Sequence, residues 1–221
     1  SSADPLKGFI NSVAKMVLKM ISKVVELSPY GAFALTAWVV GTQGLAIMLS
    51  LSKLVLAITI AMALQYLIFG LFIMIFCKMS PIPFYKKSFE YQSIAISTGS
   101  SKASLATTMQ VCRQKLGVSE SSTSFVLPLG ASINMDGMAI NLALTAVFFA
   151  QMMGIDLTTS DYMVIILTAT LGSMGGAGIP GGSLVMLPMI LAAVNMPIEG
   201  VAIIAGIDRV LDLLRTAINI T

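Results

Sequence analysis

The hydrophobic residues of this chain run in long blocks, with polar residues at the block edges and in a few block centres. Residues 54–77 contain no charged side chain, and neither do residues 162–198. Each block is longer than the roughly 20 apolar residues that one membrane span needs. Residues 6–42 read as one long helix bent at Pro29, within a first transmembrane unit over 1–42. A second helix reads from about Leu45 to Cys77, long enough to span with some tilt, and belongs with the following loop to a unit over 43–85. Lys15, Lys19 and Lys23 recur every four residues, so they share one face, read as a stripe turned to water or lipid headgroups. Residues 78–87, with Lys78, Lys86, Lys87 and two prolines, read as a cytoplasmic loop.

Residues 86–221 predict a different kind of unit. Arg113 and Lys115 mark a basic boundary, whereas Asp156 and Asp161 mark an acidic one. Positive-inside bias puts the basic boundaries in the cytoplasm and the acidic one outside. The segment at about 88–115 would therefore leave the cytoplasm and return to it, in too few residues for two spans of about 20 each. Its centre, Ser97 to Ser104, is small and polar, which predicts a re-entrant helical hairpin whose tip is enclosed by protein or lines a wet cavity. A second hairpin is predicted at about 162–195, entering from the opposite face. Its centre, Ser173 to Ser183, holds five glycines and Pro180 in eleven residues, which cannot continue a helix. A Gly-rich packing interface between ordinary spans is the alternative there. A helix with polar residues at membrane depth follows each hairpin. One lies at about 118–153 and is broken at Asn134–Gly137; the other lies at about 199–221. The predicted fold class is thus an all-α membrane protein with two re-entrant hairpins in inverted-repeat arrangement and one unwound helix, a pattern of secondary transporters.

Composition agrees. Of 221 residues, 57% are apolar and 10% charged, against about 25% charged in soluble domains. The net charge of +3 is small, and its lysines flank apolar blocks, which argues against a nucleic-acid partner. With no histidine, Ser-His and Cys-His catalysis and the usual zinc sites are excluded, and no enzyme is expected. Cys77 and Cys112 sit at block edges and read as inert small residues rather than metal or redox groups. Residues 1–5 lack the basic region and apolar core of a signal peptide. The chain opens without Met and stops at Thr221 inside an apolar helix, which predicts a piece of a longer protein.

Chemistry concentrates in the interrupted segments. Asp208, Asp212, Arg215 and Asn219 are spaced by 4, 3 and 4, which puts them on one helix face. One charge at the bilayer centre costs roughly 3 kcal/mol on insertion scales, so several demand a reason. One is a structural ion pair, Asp212 with Arg215 or Asp208 with Arg209. The other is a solute pathway in which Arg215 grips a carboxylate through two parallel hydrogen bonds and Asp212 takes an ammonium. Together these groups suit an amino acid. Asn134 and Asp136, beside the helix-loosening Gly137, would combine with unwound carbonyls into an oxygen-rich cage for a hard cation such as sodium; a polar kink is the alternative. Ser100 and Ser101 offer hydroxyls and backbone N–H groups to an anion at a helix start.

These residues carry a resemblance. Gly99-Ser100-Ser101-Lys102-Ala103-Ser104-Leu105, Pro128 through Gly137, Gly178-Ile179-Pro180-Gly181 and Asp208 through Asn219 occur in the order seen in glutamate transporter homologues. This is the dicarboxylate/amino acid:cation symporter family, and the likeness covers essentially the whole chain. It implies a homotrimeric, multi-pass transporter in a prokaryotic inner membrane that moves its transport domain like an elevator. The expected activity is sodium-coupled symport of aspartate or glutamate, with protons as the alternative coupling ion. The resemblance also implies that Ser100, Ser101 and Asn219 bind the substrate α-carboxylate, Asp212 and Thr216 its amino group, and Arg215 its side-chain carboxylate. Met138 would lie beside that side chain, and Ile179 and Gly181 would belong to the gating tip. Sodium is implied near Gly130, Asn134 and Asn219; near Ser132, Ser173, Met174 and Gly176; and near Asn134 and Asp136. The chain departs from the family at Gly99 and Leu213, where an arginine is common; Arg209, one turn away, is the candidate substitute. Met138 stands where a threonine is usual, which keeps a neutral amino acid, cystine or a C4-dicarboxylate open as the substrate. An aspartate expected just beyond Asn219 would lie past Thr221, and scaffold helices would precede residue 1. An ion channel filtered by the hairpin tips is the distant alternative; it gives no reason for paired Asp and Arg on one helix.

Overall fold

The computed structural model describes residues 4–176 and 181–221. Among these residues there are ten α-helices, one short 3-10 turn and no strand. The helices are α1 (Asp4–Val25), α2 (Ser28–Gln43), α3 (Ala46–Cys77), α4 (Ile82–Thr98), α5 (Ser101–Gln114), α6 (Glu120–Ile133), α7 (Asp136–Met153), α8 (Thr159–Gly175), α9 (Gly182–Ala193) and α10 (Val201–Asn219).

Two sequence expectations need correction. The single helix over 6–42 is two helices, separated at Glu26 and Leu27. Pro29 lies in the first turn of α2, where its missing N–H would have had no partner in any case. The proline therefore starts a helix instead of bending one, and the Leu27 carbonyl accepts the Tyr30 and Gly31 N–H groups at 3.1 Å. The loop expected over 78–87 is only residues 78–81, because Pro81 and Pro83 again suit a helix start and α4 begins at Ile82. Lys78 turns the chain in the left-handed region, with φ of 52°.

α3 has 32 residues, about 48 Å at 1.5 Å per residue, longer than a bilayer's hydrocarbon core. Leu49, Leu56, Ile60, Leu64 and Phe76 on it are each more than half exposed. Such a surface is out of place in water and suits lipid or another apolar surface. Among the described residues, this helix and the α6–α7 segment, Glu120–Met153, have the length and composition to cross a membrane.

The remaining helices form packed pairs around α7 and α10. α4 packs on α5 and α8 on α9. Gly99 makes the first reversal possible: its φ of +64° is the left-handed helix cap that glycine adopts without strain. Ser100 then caps α5 by accepting the Ala103 N–H at 3.3 Å. Thr158 and Asp161 form a reciprocal capping box at the start of α8. The second reversal includes Ala177–Pro180, which lie outside the described residues.

α7 is the central element. Gly137, Met138, Asn141, Leu142, Thr145, Ala146, Phe149 and Ala150 are buried, a helical stripe that packs against α3, α8, α9 and α10. α10 in turn contacts α2, α3, α4, α5, α7 and α9. Small residues set these distances. Thr36 of α2 donates to the Gly206 carbonyl at 3.3 Å. A Cβ on Gly137 would lie 2.5 Å from the Arg215 carbonyl oxygen and 2.9 Å from its Cα. That contact is backbone against backbone, so no rotamer change relieves it. Gly137→Ala is expected to force α7 and α10 apart and to destabilise the fold by about 1–3 kcal/mol, read as a lower thermal midpoint of the detergent-solubilised protein.

Candidate substrate and cation site

The polar face of α10 is buried as a row. Asp208, Asp212, Arg215, Thr216 and Asn219 are each at most 5% exposed. Arg215 is the centre of the row. Its Nε donates to Asp212 Oδ1 at 3.0 Å and its Nη1 to Asp208 Oδ1 at 3.0 Å. Nη2 lies 2.7 Å from Asp212 Oδ1, without the alignment of a hydrogen bond, and has no other partner. Arg209, partly exposed, donates from Nη1 to the second oxygen of Asp212 at 3.2 Å. The ion pair that the sequence offered as an alternative is thus present between Asp212 and Arg215, but Arg209 turns to Asp212 and not to Asp208. One turn back on α10 is what brings Arg209 alongside Asp212, since i and i+3 share a face.

Both helix pairs reach this row. At the first, a Cβ on Gly99 would lie 2.8 Å from Arg209 Nη1 and 3.4 Å from Asp212 Oδ2, so the turn's backbone rests on the charged groups. Ser101, in the first turn of α5, is 1% exposed and its hydroxyl has no partner. A buried hydroxyl left unpaired is costly and marks a place where a ligand atom or water completes the bonding. Ser100 Oγ accepts the cap bond from the Ala103 N–H, which leaves its hydroxyl proton to donate. From the second pair, Ser183 of α9 donates to Asp208 Oδ1 at 2.6 Å and accepts from Arg215 Nη1 at 2.6 Å.

The α6–α7 break adds a second polar zone. Asn134 and Met135 are non-helical, which frees backbone groups at the unwound point. Asn219 accepts the Met138 N–H at 3.2 Å, and the Asn134 amide reaches the Asn219 carbonyl at 3.5 Å. Gly130, Asn134, Asn219 and Thr221 line one cleft of about 420 Å³. Asp136 points elsewhere, accepting from Gln65 of α3 at 3.3 Å. Three of the expected cation residues therefore share one cleft, while Asp136 sits at the junction with α3. Ser173 is buried and its hydroxyl donates back to the Thr170 carbonyl at 2.7 Å. Met174 is 44% exposed on α8. Ser132 is partly buried on α6. Thr216 donates to the Asp212 carbonyl within its own helix at 2.7 Å. Gly181 precedes α9 with φ of +74°, and Ile179 lies outside the described residues.

Met138 proves to be a packing residue of this region. It is 3% exposed, and its thioether end occupies the space where a Cβ on Gly176 would fall, with Gly182 also against it. The glycines of the second reversal thus make room for a long side chain from α7. Sequence reasoning gave no role to Ser183 or Gln65. For Gln65 a signal existed, a lone amide in the uncharged block 54–77, since a polar group in such a span usually has a partner. For Ser183 there was only a hydroxyl at the end of a Gly-rich stretch.

Among the described residues, the all-helical fold, two apolar segments of spanning length and a charge cluster buried beside an interrupted helix suit a membrane protein with an internal polar site. The model of the Sodium:dicarboxylate symporter family matches residues 1–221, and the chain belongs to that family. It is 34% identical over 221 residues to the proton/sodium-glutamate symport protein of Bacillus subtilis, covering 98% of this chain and 50% of that one. It is 35% identical over 217 residues to the proton/glutamate-aspartate symporter of Escherichia coli, covering 98% and 49%. Excitatory amino acid transporter 2 of Homo sapiens is 33% identical over 215 residues, covering 96% and 38%. The chain spans about half the length of the bacterial relatives it matches.

The contact between Met138 and Gly176 yields a double-mutant test. Gly176→Ala is expected to lower thermal stability measurably. Met138→Ala in the same protein should recover part of that loss, giving a coupling of roughly 0.5–3 kcal/mol between the two sites.

Proposed function

We propose that this chain carries the transport domain of a secondary active transporter that symports an acidic amino acid, aspartate or glutamate, with sodium. The observation that carries the reading is the buried cluster on α10, approached by the ends of both helix pairs. Arg215 suits the side-chain carboxylate and Asp212 the amino group; the unpartnered Ser101 hydroxyl, with Ser100 and Asn219, suits the α-carboxylate. The names of the Bacillus subtilis and Escherichia coli relatives, a glutamate and a glutamate-aspartate symporter, support the same substrate class.

Charge accounting supports coupling to a cation. Two guanidiniums, Arg209 and Arg215, face two carboxylates, Asp208 and Asp212, so the empty cluster is neutral. An acidic amino acid brings a net charge of −1, and burying uncompensated charge is expensive. A co-entering cation removes that cost. The cleft at Gly130, Asn134 and Asn219 is one place for sodium; Asp136, and the group Ser132, Ser173, Met174 and Gly176, are the others proposed. Protons are the alternative coupling ion, as the relatives' names also state. Each cation entering along the membrane potential gains roughly 2.3 kcal/mol per 100 mV.

In this reading the two helix pairs are re-entrant hairpins of opposite entry, and the second, with Ile179 and Gly181, is the gate. The transport domain moves as an elevator against a scaffold, in a homotrimer within a prokaryotic inner membrane. A neutral amino acid, cystine or a C4-dicarboxylate is the second reading, favoured by Met138, whose apolar side chain is buried where a hydroxyl would have served an acidic substrate. The ammonium partner Asp212 speaks against the dicarboxylate.

The test is calorimetric titration of L-aspartate into the complete transporter, with and without sodium, for the wild type and Arg215→Ala. Sodium-dependent aspartate binding that the variant loses, with a neutral amino acid bound in its place, is the expected result. Binding indifferent to sodium but dependent on pH would move the coupling to protons. A wild type that ignores aspartate under both conditions would overturn the acidic substrate.

A further inference from the structure

α1 stands outside the packing around α7 and α10. Leu6, Phe9, Ile10, Met16 and Met20 on it are each more than half exposed. Phe9, Val13, Met16 and Met20 are spaced by 4, 3 and 4, which gathers them on one face. Lys15, Lys19 and Lys23 are spaced by 4 and 4, and at 3.6 residues per turn their face lies roughly a quarter turn round the helix from the apolar one. All three lysines are exposed. Like charges one turn apart weaken a helix, and α1 gives them little relief: between Pro5 and Val25 there are four lysines and no carboxylate. Lys23 pairs with Glu26, just past the helix, at 2.9 Å. Lys15 and Lys19 have no acidic residue within a turn of them in the sequence.

The position of α1 in the fold adds to this. α2 has 16 residues and no charged one, about 24 Å at 1.5 Å per residue, short of a hydrocarbon core of roughly 30 Å. The C-terminal end of α1 therefore stands at the membrane boundary. Gly44, at φ of +76°, and Leu45 are all that joins α2 to α3, and so short a link makes these packed helices antiparallel neighbours. The start of α2 thus faces the same side as the end of α3, where Lys78, Lys86 and Lys87 follow. Positive-inside bias makes that side cytoplasmic. A basic stripe along the edge of an apolar face, at such a boundary, has the chemistry of an interfacial helix: lysine stems run along the apolar surface and their ammonium groups reach headgroup phosphates.

We propose that the Lys15–Lys19 face of α1 is a binding surface for anionic phospholipid headgroups of the cytoplasmic leaflet, with the neighbouring Phe9–Met20 face against acyl chains. Headgroup phosphates relieve the repulsion along the stripe, and anionic lipid gathers at basic segments beside a membrane span. The apolar face by itself would fit a neighbouring helix equally well; the lysines along its edge favour an anionic lipid surface. The inference needs only that the chain is integral to a membrane and does not depend on the substrate proposed above.

The test titrates phosphatidylglycerol into the complete transporter in neutral detergent and follows the thermal midpoint, with zwitterionic phosphatidylcholine as the control. Phosphatidylglycerol is expected to raise the wild-type midpoint and phosphatidylcholine to raise it much less. In Lys15→Gln/Lys19→Gln the half-saturating phosphatidylglycerol concentration rises about tenfold or more, while the midpoint in phosphatidylcholine stays as it was. Lys15→Arg/Lys19→Arg keeps the charge and the wild-type half-saturation. The single variants Lys15→Gln and Lys19→Gln serve if the double variant does not fold. An unchanged half-saturation in the glutamine variants would overturn the proposal, as would an equal wild-type response to phosphatidylcholine. If inorganic phosphate alone reproduces the shift, the stripe takes a free anion and the lipid assignment is wrong. If Phe9→Ser lowers the midpoint equally in both lipids and the lysine variants change nothing, protein covers this face, and the proposal falls as well. None of these outcomes bears on the acidic-amino-acid reading, which the aspartate titration decides separately.

Discussion

The buried ion cluster of Arg215 with Asp208 and Asp212 is the constraint around which the rest of the molecule is arranged. A guanidinium at 2% exposure is tolerable only when its charge and donors are answered at close range. Two carboxylates on the same helix answer most of them. That leaves α10 with a polar face that cannot meet lipid, and α2, α3, α4, α5, α7 and α9 surround the helix. Gly137 lets α7 approach the Arg215 backbone, and Gly206 does the same for α2.

The same cluster explains why three interrupted elements end beside it. Unwound backbone in a membrane needs partners, and a row of carboxylates, guanidiniums and amides supplies them. The Met138 N–H finds Asn219, the α4–α5 turn rests on Arg209 and Asp212, and α9 begins with Ser183 bridging Asp208 and Arg215. What is left unanswered is informative. The Ser101 hydroxyl, Asn141 Oδ1, Thr145 Oγ1 and Arg215 Nη2 have no hydrogen-bond partner among the described residues, although Nη2 lies 2.7 Å from Asp212 Oδ1.

Met138 shows how a packing choice can resemble a chemical one. Read as a letter, it replaces a hydroxyl near the substrate with an apolar group, which points away from an acidic solute. In the structure its thioether end packs against Gly176 and Gly182, and Ser183 places a hydroxyl against Arg215 from the other side. The side chain thus joins α7 to the second reversal, and glycines there are required by its bulk as well as by the turn.

How much of this was legible in the sequence follows from the range of the forces involved. Helix content, the block lengths, the break at Asn134 and Met135 and the common face of Asp208, Asp212, Arg215 and Asn219 all follow from neighbours within a turn or two. So they could be read from spacing alone. The starts of α2 and α4 were misplaced because a proline reads as an interruption, although in a first turn it loses nothing. Pairings between distant segments were not legible. Nothing local turns Asp136 to Gln65 or sets Ser183 between Asp208 and Arg215. Those contacts depend on where separate helices come to rest. The sequence by itself determined which groups must be buried and on which face; only the tertiary structure decided which of them meet.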